Sequence, residues 1–134
     1  MIKLAHELGV TNISFLDPVK KSAIENYLSI LDIALVPLKK SPTFASVIPS
    51  KIFESVAMNI PILLGVDGES KGIIEFYNSG MYFEPENESD FIEKLTEMKF
   101  KILTNKNYFV EGCQKMANDF DRKKLAKNML DLLS

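Results

Sequence analysis

The sequence has one cysteine, Cys113, and one histidine, His6, among its 134 residues. A lone cysteine excludes an internal disulfide and points to a reducing, cytoplasmic setting. A His-based catalytic triad or a Cys/His zinc site has almost no material. There is no run of about 18 apolar residues, so no membrane-spanning helix is expected. The opening MIKLAHELGV carries too short an apolar stretch for a secretory signal. The formal net charge is −2, which lacks the positive excess of a nucleic-acid or anionic-membrane binder. Repeats, low-complexity segments and an internal domain boundary are absent as well.

What is present is an ordinary globular composition, 46% hydrophobic and 25% charged, enough for one domain with its own core. Residues 2–8 have apolar positions at helical spacing, with Gly9 as a stop. NISFLD (12–17) reads as a short strand. Ser22 then caps a helix that runs to residue 31. DIALVPL (32–38) is a continuous apolar run of the kind found in covered parallel strands. Residues 39–48 are polar and turn-rich. A short helix over about 50–58 leads into the strand PILLGV (61–66). The loop DGESKG, a helix ending at Gly80 and the strand MYFEP (81–85) follow. Ser89 precedes an amphipathic helix with apolar residues at 91, 92, 95 and 98, and two more helices complete the chain. Strands alternating with helices predict an α/β fold, a parallel sheet of about four strands with helices on both faces.

Ligands of such sheets bind at the carboxyl ends of the strands. The longest polar loop there runs into VIPSKIFESVAMNIPILLG (47–65). Pro49 suits the first helical turn, where a missing N–H costs nothing. The N–H groups of Ser50 and Lys51 then have no partner within the helix and attract anions, phosphate above all. Ile52, Phe53, Val56 and Ala57 are expected to form the buried face. Glu54 falls off that face, where a carboxylate can accept two hydroxyl hydrogen bonds of a ribose. The plainer alternative is a solvated glutamate paired with Lys51 at i, i+3.

The segment DIALVPLKKSPTFASVIPSKIFESVAMNIPILLGVDGES resembles the nucleotide-binding half of retaining GT-B glycosyltransferases of family 4. Those enzymes carry a strand ending like ALVPL and a Glu-bearing helix followed by AMAxGxPVLAS. One subgroup has PSKxxEYMAxGxPV, matched here at Pro49, Ser50, Lys51, Glu54, Ala57 and Pro61. The likeness extends from about residue 12 to the C-terminus. It implies an incomplete Rossmann-like nucleotide-sugar-binding domain over residues 1–134, the C-terminal half of a GT-B enzyme. Its donor would be a UDP- or GDP-linked sugar, bound without a metal or other cofactor. Glu54 would hold the ribose hydroxyls. The backbone of Ile48, Pro49, Ser50 and Lys51 would meet the diphosphate, and the loop beginning at Pro37 would lie near the base. The family's chemistry is retaining transfer of a sugar, with the leaving diphosphate stabilised by positive charge and helix N–H groups. Acceptors would be glycans or lipid-linked molecules of polysaccharide biosynthesis, at the inner membrane face.

Three departures qualify the likeness. Many family members have a second glutamate eight positions earlier, where Ser46 stands here. Asn59 and Ile60 replace the usual glycine region, and asparagine tolerates the left-handed helix stop required there. The first two strands of the domain, with the Arg and Lys of their loops, are missing, as is the acceptor domain. These strands would be the middle ones of a 3-2-1-4-5-6 sheet. NISFLD would thus lose its neighbours and DIALVPL would expose an edge, open to the missing segment or to self-association. Without those parts the chain is expected not to transfer sugar.

The other features have plain readings. His6 lies near a helix end. Cys113 fits a packed thiol in an amphipathic helix. DRKKLAK (121–127) is a solvated basic turn, with a membrane-facing patch as the sharper alternative. Asp67 and Glu69 serve equally as turn residues or as contacts to a donor hydroxyl. A non-catalytic flavodoxin-like regulatory or interaction module is the competing function. Against a phospho-acceptor version of it, Asp17 stands alone at its strand end.

Overall fold

The computed structural model describes residues 1–134. At its centre is an open parallel sheet of three strands: β1 (Ala34–Pro37), β2 (Ile62–Gly65) and β3 (Gly80–Tyr82), in spatial order β1-β2-β3. The helices are α1 (Ile2–Glu7), α2 (Ile24–Leu28), α3 (Pro42–Ala45), α4 (Ser50–Ala57), α5 (Glu69–Tyr77), α6 (Glu88–Thr104), α7 (Val110–Asp119) and α8 (Arg122–Leu133). The class is α/β, as the alternation of strands and helices predicts.

The register sets Leu35, Leu63 and Met81 on one face of the sheet and Val36 and Leu64 on the other. All four residues of β2 are buried, so both its faces are covered. Both α4 and α6 pack on it. Ile52 and Val56 of α4, Met98 of α6 and Met116 of α7 are wholly inaccessible and close the core around Ile62, Leu63 and Leu64. Burying each such side chain contributes about 1.5–3 kcal/mol. In β1 only Ala34 and Val36 are buried, while Leu35 and Pro37 are open to solvent. One face of β1 is therefore uncovered.

The sheet has three strands, not four. Residues 12–17 form no strand and are exposed throughout, with no backbone hydrogen bond to any neighbour. A strand's N–H and C=O groups need a paired chain beside them, and no strand lies beside this segment. β1 sits at an edge of the sheet, as expected for DIALVPL. Helix α1 forms but buries none of its residues.

Several boundaries differ from the sequence reading, each for a local reason. Ser22 is inside a 3-10 turn (Lys21–Ala23) rather than capping α2, which ends at Leu28. The polar loop contains α3, capped by the Ser41 hydroxyl, which accepts from the Thr43 N–H at 3.3 Å. Asn87, not Ser89, caps α6, its side-chain oxygen accepting from the Asp90 N–H at 3.0 Å. Helix α5 stops at Asn78, which is left-handed at φ 51°. Gly80 is needed for another purpose: a Cβ there would lie 2.0 Å from the Ile62 carbonyl oxygen of the paired strand.

Helix α7 crosses the end of α5 equally closely. A Cβ on Gly112 would lie 2.1 Å from the Tyr77 carbonyl oxygen. Gly112→Ala is therefore expected to destabilise the fold by about 1–3 kcal/mol through overpacking. Urea unfolding checks this as a lowered midpoint at unchanged slope.

Candidate functional site

The loop between β1 and α4 is held by its own polar groups. Ser46 donates to the Thr43 carbonyl at 3.1 Å, and the buried Ser70 hydroxyl donates to the Val47 carbonyl at 3.2 Å. Gly68, at φ 84°, packs so tightly on α3 that a Cβ would lie 2.0 Å from the Ala45 carbonyl oxygen. The loops that follow β1 and β2 are thus fastened together at the carboxyl end of the sheet.

Helix α4 starts there. Pro49 is its N-cap with extended backbone (ψ 130°), one position earlier than the first helical turn expected for it. The Pro49 carbonyl accepts the Ile52 N–H at 3.1 Å. The Ser50 and Lys51 N–H groups have no acceptor in the protein, and no side chain caps this end. The far end is closed by Asn59 at φ 60°. There the Asn59 N–H reaches the Val56 carbonyl and the Ile60 N–H the Ser55 carbonyl, both at 3.0 Å. That is the two-bond stop of a left-handed residue, so asparagine serves where the resembling family has glycine. The buried face of α4 is Ile52, Ser55 and Val56, with Phe53 half-buried. Ala57, expected on that face, is exposed, and the small Ser55 takes the inner position.

Glu54 is exposed and pairs with no cation, Lys51 included. It shares an open cleft of about 460 Å³ with Ser50, Lys21 and Arg122, with Phe53 and Phe120 among its lining. Those two rings pack 5.0 Å apart between centroids, tilted by 41°. The structure thus brings Ser50 and Glu54 together. It does not bring Pro37 to them: Pro37 lines a separate cleft with Leu35, Phe83 and Phe91. Ile48 is half-buried against the core, Pro49 is half-buried and Lys51 is exposed. Sequence reasoning did not single out Lys21, and it read Arg122 as part of a solvated basic turn. Only the fold sets α8's first turn beside α4.

A second polar group lies at the ends of β2 and β3. The Tyr82 hydroxyl donates to the Asp67 carboxylate, and the Lys71 ammonium sits 4.0 Å from the Tyr82 ring centroid. Burial, then the Asp67 hydrogen bond and charge, push the Tyr82 hydroxyl well above the usual tyrosine range. Lys40 pairs with Glu84 at 3.2 Å. The Asn87 amide, followed by Lys40, holds the Glu84 carboxyl below its ordinary value. Asp67 thus has a partner within the fold, while Glu69 is exposed at the first position of α5.

Cys113 is fully buried, and its thiol is pushed up to about 11, mainly by burial. It is a packing residue, since the reactive form is the thiolate. His6 is exposed on α1, and all of α8, with its basic first turn, is exposed. No helix is long and apolar enough to cross a membrane. Comparisons with protein-family models, with curated proteins and with solved structures gave no match to this chain.

The Tyr82 proton gives a pH test. The folded state holds it more tightly than the unfolded state, whose tyrosines titrate near pH 10. Above about pH 10 the folded state therefore binds more protons, and stability falls as pH rises towards the folded value. Tyr82→Phe is expected to flatten that alkaline loss in urea midpoints. It also removes a late-titrating tyrosine from the ultraviolet absorbance titration.

Proposed function

We propose that the chain is the donor-binding portion of a retaining glycosyltransferase, taking the nucleotide part of a UDP- or GDP-linked sugar at the start of α4. One observation carries the reading. Two N–H groups without acceptors, those of Ser50 and Lys51, open a helix at the carboxyl end of a parallel sheet, and one turn later an unpaired Glu54 faces a cleft. Amide groups at a helix start suit a diphosphate. A carboxylate without a partner suits a pair of ribose hydroxyls. Lys21 and Arg122 line the same cleft and would add the positive charge that a leaving diphosphate requires.

The three strands in simple order correspond to strands 4-5-6 of a Rossmann-like sheet. On this reading the chain binds the donor but lacks the acceptor side. Transfer to a glycan or lipid-linked acceptor takes place only with that side supplied, on the cytoplasmic face of a membrane. The exposed Lys123 and Lys124 of α8's first turn would rest against that surface.

Titrating UDP and GDP into the folded chain is expected to shift backbone amide resonances at residues 48–54. Glu54→Ala is expected to weaken the binding about tenfold or more, by loss of charge-assisted hydrogen bonds, while leaving the thermal midpoint unchanged. No shift with any nucleotide, in a chain shown to be folded, would favour the non-catalytic flavodoxin-like module. Sugar transfer by the isolated chain would contradict the division of labour.

A further inference from the structure

The end of α5, the loop before α7 and α7 itself enclose a second cleft, of about 500 Å³. It shares no lining residue with the cleft at the start of α4. Its walls are fixed by contacts already in place. Gly112 lets α7 close on α5: a Cβ there would lie 2.1 Å from the Tyr77 carbonyl oxygen and 2.4 Å from that of Asn78. The Tyr77 hydroxyl donates to Asp119 at 2.8 Å, tying the two helices together. The Lys101 ammonium donates to the Tyr108 hydroxyl at 3.3 Å and so steadies the loop side. A cleft held this way needs little ordering when a ligand enters.

Two kinds of group remain unused in it. The first is aromatic surface. Phe76 is 82% exposed, and the ring of Tyr77 meets it edge to face at 5.0 Å between centroids. The second is a pair of carboxamides. Asn78 and Asn118 are exposed, and neither side chain has a hydrogen-bond partner in the protein. The charges, by contrast, are spoken for. Lys115 is the one cation of the lining and pairs with Glu111 at 2.7 Å, while Asp119 accepts from Tyr77.

These features select among ligand classes. A phosphate finds no free cation. A wholly apolar ligand would cover both carboxamides without pairing them. An extended peptide finds no strand edge to join, because helices and a loop line the cleft. A pyranose sugar meets both unused groups. Its hydroxyls donate and accept, as a carboxamide does. Its C–H face packs on the electron-rich face of an aromatic ring.

We propose that the cleft between α5 and α7 is a binding site for a neutral oligosaccharide. Phe76 is the platform on which one sugar ring lies, and Asn78 and Asn118 take its hydroxyls. This inference does not rest on the nucleotide reading, since the two clefts have no residue in common.

Backbone amide resonances followed during titration with maltohexaose, cellohexaose and laminarihexaose test it. At least one of these sugars is expected to give saturable shifts at residues 76–78 and 108–119, with residues 48–54 unmoved. Phe76→Ala is expected to weaken that binding about five- to tenfold, and Asn118→Ala about three- to tenfold, each with an unchanged thermal midpoint. Phe76→Tyr keeps the platform and is expected to bind as the unaltered chain does. Phe100→Ala, which removes an exposed ring of α6 outside the cleft, is expected to change nothing. Absence of shifts with all three sugars overturns the proposal. So do shifts confined to residues outside the cleft, or binding that survives Phe76→Ala undiminished. UDP and GDP shifts at residues 48–54 are read separately, so failure of either site leaves the other standing.

Discussion

A buried parallel strand must be hydrogen-bonded along both edges and covered on both faces, and β2 alone meets that requirement here. Ile62, Leu63 and Leu64 are inaccessible, β1 and β3 pair on either side, and α4 and α6 pack on it. Everything that is well fixed in the molecule is fixed by proximity to this strand. The start of α4 is placed because the helix must return the chain from β1 to β2 across the core. Its last turn is closed by Asn59 two residues before Pro61, which leaves no slack between helix and strand. A chain so constrained at one end presents its other end, with the unpaired N–H groups of Ser50 and Lys51, in one orientation.

Away from β2 the constraints weaken in order. β1 keeps one covered face and one open face. α2 reaches the core only through half-buried side chains such as Leu28. α1, residues 11–20 and α8 bury no side chain fully. Their apolar residues are numerous enough to need a cover, and the molecule by itself supplies none. A modest core therefore supports an extended periphery, and fluctuations of low free energy belong to that periphery.

The parts legible in the sequence were those whose signal is local. PILLGV read as a buried strand because a short apolar run led by proline has few other uses. Asn59 read as a helix stop because asparagine tolerates positive φ. NISFLD failed as a strand because the pattern records what a segment is suited to, while pairing depends on whether a neighbour exists. Ser22 and Ser89 failed as caps because Ser22 lies inside the 3-10 turn, with Ala23 at the N-cap of α2, and Asn87 caps α6. In the candidate site, Ser50 and Glu54 were legible from helix geometry, being four apart. Lys21 and Arg122 were not, since they are separated by about a hundred positions and meet only through the packing of α7 and α8. Tyr82 was hidden for a similar reason: its partner Asp67 sits on the neighbouring strand's loop.

The contact between Gly68 and the Ala45 carbonyl makes the two strand-end loops behave as one piece. Ser70 adds a latch, its hydroxyl closed on the Val47 carbonyl two residues before Pro49. Whatever grips the first turn of α4 therefore also grips the first turn of α5. At its other end α5 carries Tyr77, whose hydroxyl donates to Asp119 at the end of α7. The loops at one end of the sheet and the helices behind it are thus joined through the two ends of α5.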